Sequence, residues 1–191
     1  MKSDTPNQLG HTTVSLHWIV GITVIGLLAV GVYMTQTSTL SLYPWHKSFG
    51  FSIFFVALLR IIWLMITGWP VPVSQYRRIE RILARTVQWL LLLGTILMPI
   101  SGFLMSSLGG HGVDVFGFEV VARNPDPSNP GKVLPYDAMW ASFFSEVHEL
   151  LGYTLIAAVV LHLSGALKHH LIDKDGTLRR MLGASVDVQR T

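Results

Sequence analysis

The sequence predicts an all-α membrane protein, a bundle of four transmembrane helices with both termini cytoplasmic. Three observations carry that prediction. Of its 191 residues, 50% are hydrophobic and 13% charged, against about 25% charged in an ordinary soluble domain; so few charges cannot coat a globule of this size. Four runs reach the roughly 20 apolar residues that a helix needs to cross about 30 Å of hydrocarbon. Finally, lysine and arginine gather on one side of those runs. Lys2, Arg77, Arg78, Arg81, Arg85, Lys168, Lys174, Arg179, Arg180 and Arg190 fall on that side and only Lys47, Arg123 and Lys132 on the other, which makes the first side cytoplasmic.

The elements follow in order. The first span, Val14 to Met34, has no formal charge, and no A-x-A-like site follows it, so it is read as an uncleaved helix rather than a signal segment. A polar turn over Ser38 to Pro44 leads to the second span, Phe49 to Trp69, whose single charge is Arg60 and which Trp69-Pro70-Val71-Pro72 stops. The basic cluster Arg77 to Arg85, read first as a topology determinant and otherwise as lying against anionic headgroups, precedes the uncharged third span, Val87 to Leu108. The fourth span, Leu150 to Leu167, continues a helical pattern from about Phe143. Between the third and fourth lies the one long connection, a surface flap rich in Gly, Asn and Pro. The chain is thus a single domain over 1–191, with a long outer loop at about 109–142 and a cytoplasmic tail at about 171–191.

With no cysteine in the chain, disulfides, Cys-ligated zinc, iron–sulfur clusters and haem attached through CxxCH are excluded. No GxSxG, P-loop, HExxH or dinucleotide fingerprint is present. The basic balance reflects the positive-inside bias, and no nucleic-acid partner is expected. Any metal chemistry therefore rests on His, Asp, Glu or Met, and because ionisable residues within spans usually mark a site, the histidines are the main candidates. Four of the eight histidines pair by depth: His17 and His162 near the cytoplasmic ends of the first and fourth helices, His46 and His148 on the outer side of the second and fourth. His148 and His162 stand 14 residues apart, about 21 Å and close to four whole turns, so they leave the fourth helix by one face. Facing imidazoles of this kind either hold a low-spin haem iron axially, with the second ring nitrogen needing an acceptor, or are polar residues hydrogen-bonded between helices, a reading that accounts less well for pairing by depth.

Small residues beside these positions, Gly21, Gly26, Gly31, Gly50, Gly152 and Gly165, suit either a flat cofactor or ordinary close helix packing. Arg60, 14 residues after His46, shares the inner level, where it either pairs with a haem propionate or snorkels to headgroups. His11 and His111 read as solvated. Lys168-His169-His170 ends the fourth helix, where basic residues favour its dipole or exchange protons with a quinone.

The segments Ser15-Leu16-His17-Trp18, His46-Lys47-Ser48-Phe49-Gly50, Leu59-Arg60-Ile61-Ile62-Trp63, and His148-Glu149 through His162 into Ala166-Leu167-Lys168-His169-His170-Leu171-Ile172-Asp173-Lys174-Asp175-Gly176-Thr177-Leu178 resemble the bacterial cytochrome b561 family of four-helix dihaem membrane proteins, which includes a superoxide oxidase. That resemblance implies two haem b groups, the inner on His17 and His162 and the outer on His46 and His148. It implies electron transfer between the periplasmic face and the quinone pool of the bacterial inner membrane, with ubiquinone near His169 and Lys168 and superoxide met near Lys47. The charge pattern opposes an anionic substrate: Asp114, Glu119, Asp126, Asp137, Glu146 and Glu149 outnumber Lys47, Arg123 and Lys132 on the outer side. Two other readings are an electron-relay subunit serving a dehydrogenase or a periplasmic partner docked on the outer loop, and a histidine-based ion transporter. The latter lacks the midplane carboxylates and broken helices that transport uses.

Overall fold

The computed structural model describes residues 4–188. The elements run α1 (His11–Thr37), a 3-10 turn (Leu40–Leu42), α2 (Tyr43–Thr67), α3 (Arg78–Leu108), β1 (Val113–Val115), β2 (Phe118–Val121), β3 (Pro125–Asp126), β4 (Asn129–Val133), α4 (Ala138–Leu171) and α5 (Thr177–Met181). Four helices are long and apolar enough to cross a membrane, and at most 28% of any one's most apolar stretch is buried within the molecule. Lipid is therefore their solvent, and the helix is the form that satisfies every backbone group inside hydrocarbon.

Every span is longer than its apolar run. Local caps and not hydropathy set the ends. Ser38 adopts φ +53° after α1, the left-handed residue that closes many helices, and Gly68 at φ +77° stops α2 just before Trp69. α3 begins nine residues ahead of Val87, with the Arg77 N–H donating to the Glu80 carboxylate. α4 begins at Ala138, five residues before Phe143, because the Asp137 carboxylate accepts from the Trp140 N–H at 3.1 Å. The outer connection accordingly ends at 137 and not at 142.

The four-helix bundle is as expected, and its outer connection adds two antiparallel hairpins, β1–β2 and β3–β4. Phe116 and Gly117 both take positive φ in the first turn, the geometry that suits right-twisted strands. In the second, the Asp126 carboxylate accepts from Ser128 Oγ at 2.5 Å and from the Ser128 N–H at 2.8 Å; the hydroxyl's bond first, then the amide's, holds that carboxyl below its ordinary range. The first hairpin is strapped to the bundle: Ser106 Oγ and Lys47 Nζ both donate to the Gly112 carbonyl, at 2.8 and 3.0 Å, and Ser48 Oγ accepts from the Phe116 N–H at 3.0 Å. Gly110 is obligatory, since a Cβ there would sit 2.1 Å from the Leu134 carbonyl.

Within the bundle α3 packs along α4, α1 along α2, and α2 along α3, while α4 keeps largely clear of α1 and α2. Gly94 lets Leu155 lie against the α3 backbone, and Leu155 is among the most buried side chains. At the end where α1 begins, the chain's two ends meet. Val186 N–H donates to the Asn7 carbonyl at 2.9 Å, Trp18 Nε1 to the Met181 carbonyl at 2.8 Å, and Gln8 Nε2 to the Gly183 carbonyl at 2.8 Å. The stretch 172–188 is therefore folded, including α5. Lys2 and Arg190, two of the residues counted for orientation, lie outside the described residues.

Candidate functional site

The separation of α4 from α1 and α2 leaves histidines facing each other across the intervening space. His17 and His162 stand with ring centres 6.1 Å apart, and His46 and His148 with ring centres 6.4 Å apart. Two metal–imidazole bonds of about 2 Å, with about 1.1 Å from nitrogen to ring centre at each end, sum to about 6 Å. Both couples thus stand at a spacing that two rings sharing one metal could have, and the four-turn interval along α4 puts them at two depths.

α3 carries no histidine, yet it orients one. Nδ1 of His148 lies 3.1 Å from the Met98 carbonyl and 3.1 Å from Ser101 Oγ; these acceptors favour the proton on Nδ1 and so a bare Nε2. Gly102 makes the approach feasible, since a Cβ there would meet His148 Cε1 at 2.8 Å. Sequence reading missed Met98, Ser101 and Gly102. The only signal was a pair of small residues just after Pro99. His46 Nδ1 is buried without a hydrogen-bond partner, and its Cε1 lies 3.5 Å from where a Cβ on Gly31 would be.

Arg60 lies near His17 and His162. Among the described residues no carboxylate pairs with it. Gly50, with Gly21 and Gly165, borders unfilled space, since a Cβ would find nothing within 4 Å; Gly152 instead has the Met98 methyl at 3.5 Å and packs on α3. Facing imidazoles at metal-sharing distance, a polar nitrogen without a partner, an unpaired guanidinium and glycines bordering open space together fit haem held between α4 and the α1–α2 pair.

The other predicted residues lie at the two ends. Lys47, half-buried beside His46, is tied to the Gly112 carbonyl. At the opposite end Lys168 Nζ bridges Glu80 at 2.8 Å and Asp173 at 2.9 Å. His169 Nδ1 lies 2.7 Å from the same Asp173 carboxylate and 3.5 Å from Asp175, and its ring packs on Tyr76 with centres 4.5 Å apart. The hydrogen bond from Lys168, with a further contribution from His169, holds the Asp173 carboxyl below its ordinary range. Burial and the hydrogen bond Tyr76 Oη donates to Asp175 at 2.6 Å raise the phenol to about 12. His169, Asp173 and Asp175 are grouped tightly enough for a metal ion, but Lys168 and Tyr76 already engage the two carboxylates. His11, His111 and His170 are exposed.

The sequence pattern that describes prokaryotic cytochrome b561 matches residues 9–184. The chain is 34% identical over 192 residues to cytochrome b561 homolog 2 of Escherichia coli strain K12, covering 96% of this chain and 95% of that protein. It is 26% identical over 182 residues to cytochrome b561 homolog 1 of the same organism, covering 92% and 97%. A near full-length match to both pattern and relative, on four membrane-crossing helices, makes this chain a member of the prokaryotic cytochrome b561 family, multi-pass haem proteins of the inner membrane that transport electrons.

Proposed function

We propose that the chain is a dihaem b-type cytochrome that passes single electrons between a donor or acceptor at the periplasmic face and the ubiquinone pool. The observation that carries this reading is the presence of two histidine couples, each at the spacing one axially held iron requires and four helical turns apart. In this reading His17 and His162 ligate the inner iron, His46 and His148 the outer. Arg60 meets an inner propionate, and Gly50 leaves room for a macrocycle, whereas Gly152, expected beside the cofactor, is taken up by packing on Met98. When bound between these couples, haem b would supply a one-electron couple at each. Both termini face the cytoplasm.

Reduction of ubiquinone to ubiquinol takes two electrons and two protons. Lys168 and His169, which share Asp173 at the inner end, are suited to bind the quinone and hand over those protons. At the outer face superoxide would give up one electron and leave as dioxygen, with Lys47 as the nearby cation; this is the superoxide oxidase form of the reading. An electron-relay role in a larger assembly is the second reading, favoured by the ordered double hairpin above His46, which offers a partner a firm surface.

Protein purified from haem-replete cells is expected to carry about two haems per chain, and His162→Ala or His46→Ala about one. A colourless wild-type preparation ends the proposal. Stopped-flow mixing with superoxide and with ubiquinol then separates the two roles: fast turnover by the isolated chain marks an oxidoreductase, and turnover only with a second protein marks a relay.

A further inference from the structure

On α3, outside the histidine site, Arg78, Arg81 and Arg85 recur at helical spacing along one exposed face. Among the described residues no carboxylate pairs with any of them. Glu80, the carboxylate on this turn, is turned away and held by Lys168 at 2.8 Å. The same face continues along the helix as Trp89, Leu90 and Leu93, and these six residues line one groove. Trp69, arriving from the end of α2, packs on Trp89 with ring centres 5.5 Å apart, and the Arg85 guanidinium stacks over it at 4.7 Å. The groove is thus cationic at the membrane surface, aromatic at the interface and aliphatic below.

We infer that this groove binds an anionic phospholipid, one whose headgroup carries two phosphates. A soluble anion would use only the upper part and leave the aliphatic part uncovered, while a neutral lipid would leave three guanidiniums uncompensated. A single phosphodiester neutralises one of them, whereas two phosphates on one headgroup can each accept a forked pair of N–H donors. The aromatic pair marks the depth at which headgroup gives way to acyl chain, and the acyl chains then lie along Leu90 and Leu93.

The test uses purified full-length protein in detergent, with lipid retention read by native mass spectrometry. Diphosphatidylglycerol, phosphatidylglycerol and phosphatidylcholine are the probes, and inorganic phosphate the competitor. Wild type is expected to retain diphosphatidylglycerol about tenfold better than phosphatidylcholine, with phosphatidylglycerol between them. The variant R78Q/R81Q/R85Q should fall to the phosphatidylcholine level with helix content unchanged. Because those arginines also weigh on membrane orientation, R78K/R81K/R85K provides a version that keeps the charge and loses the forks; its retention should drop about threefold. Equal retention of all three lipids, unchanged retention in the lysine variant, displacement by inorganic phosphate, or a lipid-independent dimer that the glutamine variant breaks would each overturn the assignment.

Discussion

His148 shows how much a ligand's chemistry depends on residues that never meet the ligand. Its Nδ1 faces the Met98 carbonyl and Ser101 Oγ, both 3.1 Å away, so proton position and ring orientation are set from α3. Losing such a supporting contact typically weakens ligation 10- to 100-fold. Gly102→Ala is the harsher change, because its Cβ would stand 2.8 Å from the ring and the ring must swing out of line with His46. Gly102→Ala is expected to leave about one haem per chain, that of the inner couple. Ser101→Ala is expected to retain both and lose the outer one faster to apomyoglobin. Visible spectra and haem transfer rates check both outcomes. The histidines themselves were legible in the sequence, since depth and a 14-residue interval follow from helical rise alone. Ser101 and Gly102 were not, because what gives them a role is the approach of α4 across 47 residues of chain, which no local pattern reports.

Between elements, small residues decide which helices touch. Gly94 brings α3 onto Leu155 so closely that an added Cβ would lie 2.5 Å from Leu155 Cδ2. Gly94→Ala is therefore expected to destabilise by about 1–3 kcal/mol through overpacking, and Leu155→Ala by about 2–5 kcal/mol through the cavity it leaves. Combined, they should cost clearly less than their sum, since each removes the other's conflict; thermal melts in one detergent measure all three. Additive losses would mean that the two sites do not share a contact. This scale also shows the limits of reading from sequence. The four spans were evident because hydropathy is a local signal. Their true lengths were not, because Asp137 and Glu80 extend α4 and α3 beyond hydrocarbon through capping bonds. The two hairpins escaped notice because their strands are short and Pro- and Gly-rich, and the first is stabilised by Lys47, Ser48 and Ser106 of the bundle and not by its own pattern.

Over the whole molecule, one end is closed by a clasp that hydropathy could not have revealed. Arg180, counted in the sequence only as a topology charge, is 5% exposed. It donates to the Pro6 carbonyl at 2.8 Å and to the Val71 carbonyl at 2.7 Å, joining the lead into α1, the α2–α3 connection and the tail. Tyr76 adds a second tie to that tail through Asp175. Arg180→Ala leaves two carbonyls unpaired and should cost about 2 kcal/mol of tail docking. Limited trypsin digestion should then cut at Lys174 and Arg179 several-fold faster, with haem content unchanged. The same clasp has an alkaline limit whose sign follows from Tyr76. Its phenol is held protonated to about 12 in the folded chain and ionises near 10 when released, so its contribution is complete below pH 10 and is lost as pH rises to 12. Wild-type tail cleavage should accelerate through that interval, measured with a protease active at high pH. In Tyr76→Phe it should start higher and stay level over the same range, since no proton is left to lose there. A wild-type tail equally protected at pH 9 and pH 12 would show that the Tyr76–Asp175 bond does not hold it.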